Sequence, residues 1–161
     1  MGLRIAAFAP QHEANVLALS MRSWAPVFEK LRPVVQPCVY ETFYPDGWQV
    51  RQAADIRQFL AIARQNTWLA VDGDAVLGRV GIRLHPADRM GEIHIIAVDL
   101  AHQRRGIASA LMNHAMMQMR GTGMRIVMVE TGDDPGHAGS RATYERAGFQ
   151  RWPVACYFLE L

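Results

Sequence analysis

Lysine is nearly missing from this chain: of 17 basic residues only Lys30 is a lysine, and the formal net charge is +2. A charge that small gives no argument for nucleic acid as a partner. Cysteine is scarce as well. Cys38 and Cys156 are the only two, far apart and in no CxxC pair. That excludes a disulfide framework and a cysteine-based metal site, so no metal is expected and a reducing compartment is. No apolar run approaches the length of a membrane span, so no membrane partner is expected. The opening stretch Met1–Pro10 is interrupted by Arg4 and Pro10 and is too short for a signal peptide. Gly2 is followed by Ala at position 6, which argues against myristoylation. These absences make the expected location cytoplasmic. The phosphate-loop patterns GxxxxGK[ST] and GxGxxG are also missing. There is no internal repeat, low-complexity tract or linker.

What is present fits one globular domain over residues 1–161. Half of the residues are hydrophobic and 20% are charged, too apolar and too weakly charged for disorder. Residues 3–9 read as a strand ended by Pro10, and 11–23 as a helix carrying Glu13, Leu17, Leu19 and Met21. The stretch from Trp24 to Trp48 holds six aromatics and four prolines, a density of proline that predicts short broken pieces. Residues 49–65 return to a helical pattern with Ile56, Phe59, Leu60 and Ala63 on one face. Thr67–Val71 and Ala75–Leu84 form a hairpin around Asp72-Gly73-Asp74. Alternation along its second strand puts Val76, Val80, Ile82 and Leu84 on one face and Arg79 and Arg83 on the other. Glu92–Val98 is a buried strand, and Ala108–Arg120 an amphipathic helix with Leu111, Met112, Ala115 and Met119 on its stripe. Arg125–Glu130 reads as a strand, Ser140–Ala147 as a helix and Val154–Leu161 as a closing strand. The order implies an α/β fold with a mixed sheet.

The most informative segment runs from Ile96 to Ala108. A buried strand ends, a short loop carries Gln103, Arg104, Arg105 and Gly106, and a helix opens. The first amides of that helix lack internal partners and its dipole makes this end positive. Gly106 lets backbone approach a ligand where a Cβ would obstruct it. The residues alone read either as an anion cradle suited to a pyrophosphate or as a solvated turn.

Gln103-Arg104-Arg105-Gly106-Ile107-Ala108 resembles the (Q/R)xxGx(G/A) signature of the GNAT acetyltransferases. Tyr144-Glu145-Arg146-Ala147-Gly148-Phe149 resembles the Tyr-x-x-x-Gly-Phe of the same family. The resemblance implies a GNAT fold, a mixed central sheet with splayed parallel strands flanked by helices. It implies acetyl-CoA as the acetyl donor, with pantetheine along the backbone of Ile96, Ala97 and Val98. The pyrophosphate would then sit on the amides of Arg104, Arg105, Gly106, Ile107 and Ala108, with Ser109 nearby. The family often has Asn where this chain has His137, which leaves that pantetheine contact open. Tyr144 occupies the position whose phenol lies near the CoA sulfur, and a phenol can donate to a thiolate leaving group.

Transfer to an amine needs a base, because amines are mostly protonated. By alternation Glu92, His94 and Ile96 share one side of their strand. Glu92 and His94 form either a proton relay or a hydrogen-bonded pair on a sheet face. The pattern from Glu92 to Val98 resembles the histone acetyltransferase branch, where the glutamate is the base. Trp24, Tyr44 and Trp48 either wall an acceptor site or pack the insert, with Glu41 as a candidate carboxylate. Glu130 and Asp133 either attract a cationic amine or, for Asp133 with Asp134, cap the turn. The 131–149 run resembles a bacterial subgroup that includes aminoglycoside acetyltransferases. The favoured acceptor is therefore a small cationic amine, with an aminoglycoside, and so antibiotic resistance, foremost. A protein lysine or N-terminus is the second reading and a non-catalytic acyl-CoA-binding module the third. A homodimer stays open.

Overall fold

The computed structural model describes residues 2–161. Five strands form one sheet in the order β1-β2-β3-β4-β5: Arg4–Ala7, Thr67–Asp72, Ala75–His85, Met90–Val98 and Ile126–Val129. All neighbours are antiparallel except β4 and β5, which run parallel. Five helices accompany them: α1 Glu13–Leu31, α2 Pro37–Phe43, α3 Trp48–Ala63, α4 Ile107–Gly121 and α5 Ala138–Arg146.

Two apolar faces make the sheet the middle layer. On one face Val16 of α1 and Ile56 and Leu60 of α3 pack on Leu69 and Val71. On the other, Leu111, Met112, Ala115 and Met119 of α4 pack on Ala70, Val80, Ile82 and Ile93, joined by Tyr144 of α5. The three-and-four spacing of the α4 residues is the stripe expected from sequence. The helix starts one residue earlier than its apolar run suggests, because Gly106 is already its N-cap.

Three sequence expectations fail for physical reasons. The first is that α1 does not stop before the proline-rich segment but runs through Pro26 to Leu31. An interior proline costs roughly 3 kcal/mol. Two residues later Phe28 is buried and stacks on Trp48 with centroids 4.5 Å apart, and burying such a ring contributes about 1.5–3 kcal/mol. The second is the face assignment on β3. A bulge between Ala70 and Val71 shifts the register there, so Val76 packs with the α1/α3 cluster while Val80, Ile82 and Leu84 pack with α4.

The third failure is the closing strand. Residues 154–161 form no strand, and Val154, Tyr157 and Leu159 are exposed. Alternating apolar residues make a strand only when a sheet edge receives them. Here the C-terminal segment is tied down by side chains instead. Arg151 bonds Glu145 and Asp133, and Phe158 meets Phe43 edge-on at 5.6 Å.

Candidate functional site

The pairing of β4 with β5 stops at Ile93 opposite Val129. β4 then continues to Val98 along β3 alone, while β5 gives way to the 130–137 loop. The backbone of Ile95, Ile96, Ala97 and Val98 therefore has no strand on its β5 side. This is the splay expected of the parallel pair, and it opens a crevice across the sheet.

A bulge shapes that edge. Gly81 faces Ile95 across the ladder and Ile82 faces Ile93, so His94 is the extra residue. Simple alternation placed Glu92, His94 and Ile96 on one side. The bulge corrects this. Glu92 and His94 share the α1/α3 side and bond each other, whereas Ile96 packs into the α4 cluster.

Beyond Val98 the loop is organised by Asp99. Its carboxylate caps the amide of Ala101 at 3.1 Å and pairs with Arg22 of α1. Gln103 donates to the carbonyl of Val98 at 3.3 Å, closing the loop on the strand. Arg104 and Gly106 then take left-handed conformations, with φ of 64° and 78°. Among the described residues no side chain caps the first turn of α4, so its leading amides lack a side-chain partner. A Cβ on Gly106 would enter open space rather than strike protein. Arg104, Arg105 and Ser109 are exposed around it. A recess of about 250 Å³ lies alongside, lined by His102, Arg105 and Ile107.

Across the crevice lies a cleft of about 240 Å³. Of the residues singled out from sequence, His94, Ile96, Tyr144, His137, Trp24 and Glu130 line it. Glu92 sits one step behind: its carboxylate accepts from His85 at 2.8 Å and is joined to His94 Nδ1 at 3.1 Å. The acceptor-side residues taken from the insert divide. Tyr44 and Trp48 pack on Phe28 and do not reach the cleft. Glu41 is exposed on α2, and Asp133 is exposed and paired with Arg141 and Arg151. Asp134 caps Gly136 and pairs with His137, so turn-building falls to Asp134 alone.

Sequence reasoning overlooked Gln52, Asp55, Ile56 and Phe59 of α3, which form the far wall, and Arg79, which forms part of the floor. Only α3's amphipathic stripe hinted at the wall. For Arg79 the signal was a guanidinium at the centre of an apolar strand, between Gly78 and Gly81.

The electrostatics assign different characters to these groups. Burial pushes the Glu92 carboxyl up, but hydrogen bonds from His85 and His94 and the charges of His94 and Arg83 outweigh it, leaving it below the ordinary carboxylate range. Glu92 is thus ionised and a weak base. His94 stacks on Phe59 at 4.8 Å and borders the cleft directly. Burial pushes the Tyr144 phenol up to about 12, so it remains a neutral donor. Its hydroxyl bonds no protein atom among the described residues. Nearby His137 meets Trp24 edge-on at 5.7 Å. Its Nδ1 is committed to Asp134. Among the described residues no group of His, Cys, Asp and Glu is arranged to hold a metal ion.

The chain is similar to known proteins in sequence and in fold. A mycothiol acetyltransferase of Actinosynnema mirum is 30% identical over 116 residues, 66% of this chain but 37% of its own length. The chain spans less than two fifths of the length of the mycothiol acetyltransferases it matches. A GNAT family acetyltransferase from Brucella melitensis, solved in complex with acetyl-CoA, superposes with a TM-score of 0.61 at 20% identity, covering 93% of this chain and 84% of that one. The aminoglycoside antibiotic 6'-N-acetyltransferase AAC(6')-IG of Acinetobacter haemolyticus gives 0.65 at 18% identity, covering 100% and 99%. Residues 37–149, which contain the splayed strands, the glycine loop and Tyr144, match the acetyltransferase (GNAT) family, and the chain belongs to that family.

Proposed function

We propose that the chain is an acetyl-CoA-dependent N-acetyltransferase acting on a small amine. One observation carries the reading: the free backbone of β4 past Ile93 leads straight to the uncapped first turn of α4, with Gly106 leaving the approach open. A pantetheine arm pairs with such an edge as an added strand, and a pyrophosphate takes the amides of Gly106, Ile107 and Ala108 beside Arg104 and Arg105. Acetyl-CoA supplies an activated carbonyl carbon and a thiolate leaving group.

The chain's own residues divide the remaining work. His94 takes the proton from the amine, and Glu92 holds the imidazole in place and stabilises its charged form. Tyr144, neutral and without a protein partner for its hydroxyl, donates to the departing sulfur. Trp24 and Phe59 keep water from the reacting groups.

A cleft of about 240 Å³ favours a small acceptor. A polycationic aminoglycoside draws support from Glu130, which is exposed at the cleft and makes no ion pair among the described residues. Glu41 and Asp133 lend it nothing, since they lie outside. The test is thiol release from acetyl-CoA with aminoglycosides, polyamines, arylalkylamines, amino acids and basic peptides. Turnover confined to lysine-bearing peptides would replace the small acceptor by a protein. Acetyl-CoA binding with no turnover on any amine would make the chain a binding module.

A further inference from the structure

Arg79 lies near the middle of β3, opposite Ala97 of β4 and Leu69 of β2, and its side chain is completely buried. Its Nε, Nη1 and Nη2 have no hydrogen-bond partner among the described residues. It lines the same cleft as His94 and Tyr144. A buried guanidinium with five donors and no acceptor is the least tolerable polar group a core can hold, unless something arrives to satisfy it.

Among the described residues no buried or half-buried carboxylate is free to do so from within. Asp99 is held by Arg22 and Ala101. Glu92 is held by His85 and His94, and Asp134 by His137 and Gly136. Asp133 is tied to Arg141 and Arg151 at the surface. Among the described residues every half-buried carboxylate already has a partner, so an anion that pairs with Arg79 would come from outside, through the cleft it lines. The walls are mixed: Trp24, Ile56, Phe59 and Ile95 are apolar, while Gln52 and Asp55 are polar, with Asp55 paired to Arg51. The guanidinium itself is out of water, which strengthens a charge pair formed with it. Glu130 lines the same cleft, an exposed carboxylate that makes no ion pair among the described residues. The cleft therefore offers one free charge of each sign.

We propose that Arg79 binds a carboxylate of the amine acceptor, which makes the acceptor a zwitterion of amino-acid type. A guanidinium takes a carboxylate through two parallel hydrogen bonds, fixing its orientation as well as its charge. The bound acceptor then lies between Arg79 and Glu130 with its amine toward His94. This inference rests on the acetyl-transfer reading and narrows its substrate.

The test compares matched pairs that differ only in the carboxylate: phenylalanine with phenylalaninamide, and leucine with leucinamide. With the wild-type chain the acids have the lower KM. In Arg79→Met the acid-to-amide KM ratio rises at least about tenfold, the loss expected for a charged hydrogen-bonded pair, while the KM for acetyl-CoA stays put. Arg79→Lys restores part of the preference through charge alone. Amides that serve the wild type as well as acids overturn the proposal. So does an acid preference that survives Arg79→Met, or a loss that falls on acetyl-CoA instead. If Arg79→Met does not fold, the wild-type pairs decide by themselves. If no amine is acetylated, the transfer reading fails, and calorimetry of the wild type with phenylalanine and its amide still judges Arg79: binding of the acid alone upholds it, and no difference sinks it.

Discussion

On the α4 side of the crevice the candidate donor surface is one uninterrupted run of backbone, from Ile95 to Ser109. On the α1 and α3 side it is assembled from side chains that lie far apart in the chain: Trp24, Phe59, Arg79, His94 and Glu130. The first surface presents amides and carbonyls, which any residue supplies once φ and ψ are right. The second depends on which side chains the packing brings to one place. A donor shared by a whole family suits the first construction, and an acceptor that varies suits the second. Asp99 joins the two, capping the loop with one oxygen and holding Arg22 of α1 with the other.

Substitutions sort along the same divide. The largest effect falls at Tyr144, where both surfaces meet. Tyr144→Phe keeps the ring and removes the donor, so turnover should fall by roughly 10²–10⁴-fold, with acetyl-CoA affinity unchanged by calorimetry. An unaltered rate would leave Tyr144 with packing alone.

His94→Ala should cost about 10²-fold in kcat/KM at neutral pH and progressively less toward alkaline pH, where the amine loses its proton unaided. Glu92→Gln should follow the same trend more weakly, because it keeps one hydrogen bond and loses the charge. Equal losses at every pH would remove both from proton transfer.

Arg79→Met should stabilise the ligand-free protein by about 1–4 kcal/mol, as replacing an uncompensated buried charge does. Burial brings the Arg79 pKa down to about 9 from 12.5. Below about pH 9 the group is charged both folded and unfolded, and its cost is paid in full. Above it the folded form loses the proton while the unfolded form keeps it, so wild-type stability rises and the advantage of the variant shrinks. Denaturant melts at pH 7 and pH 10 measure this, and a variant less stable at both would show that Arg79 has a partner.

The smallest effect belongs to the backbone-built side. Gly106→Val should weaken acetyl-CoA binding by about tenfold or more, because a β-branched residue is strained at φ 78° and its side chain fills the cradle. Circular dichroism should stay unchanged, since a Cβ there meets no protein atom. Full affinity in this variant would put the phosphate site elsewhere.

The glycine loop was legible because every part of it is local: a strand end, two arginines, a glycine and a helix start within one short segment. The amphipathic stripe of α4 was legible for the same reason. The His94 bulge was not, since alternation counts residues and a bulge is a mismatch between two strands that only pairing creates. Tyr44 and Trp48 look in sequence like the walls of a binding site. Phe28, brought up by a helix that continues past Pro26, packs against both and holds them away from the cleft.

Sequence by itself determined the order of elements as far as α5 and the family signature around Gly106, because periodicity and short-range turn chemistry are written along the chain. Tertiary structure decided where the sheet splays, which face His94 and Ile96 occupy, and that the segment after Phe149 adds no strand. It also decided that Arg79 is buried without a counter-ion. Burial, ladder register and charge pairing depend on residues distant in the chain, and those become neighbours only when the sheet and its two helical layers close around them.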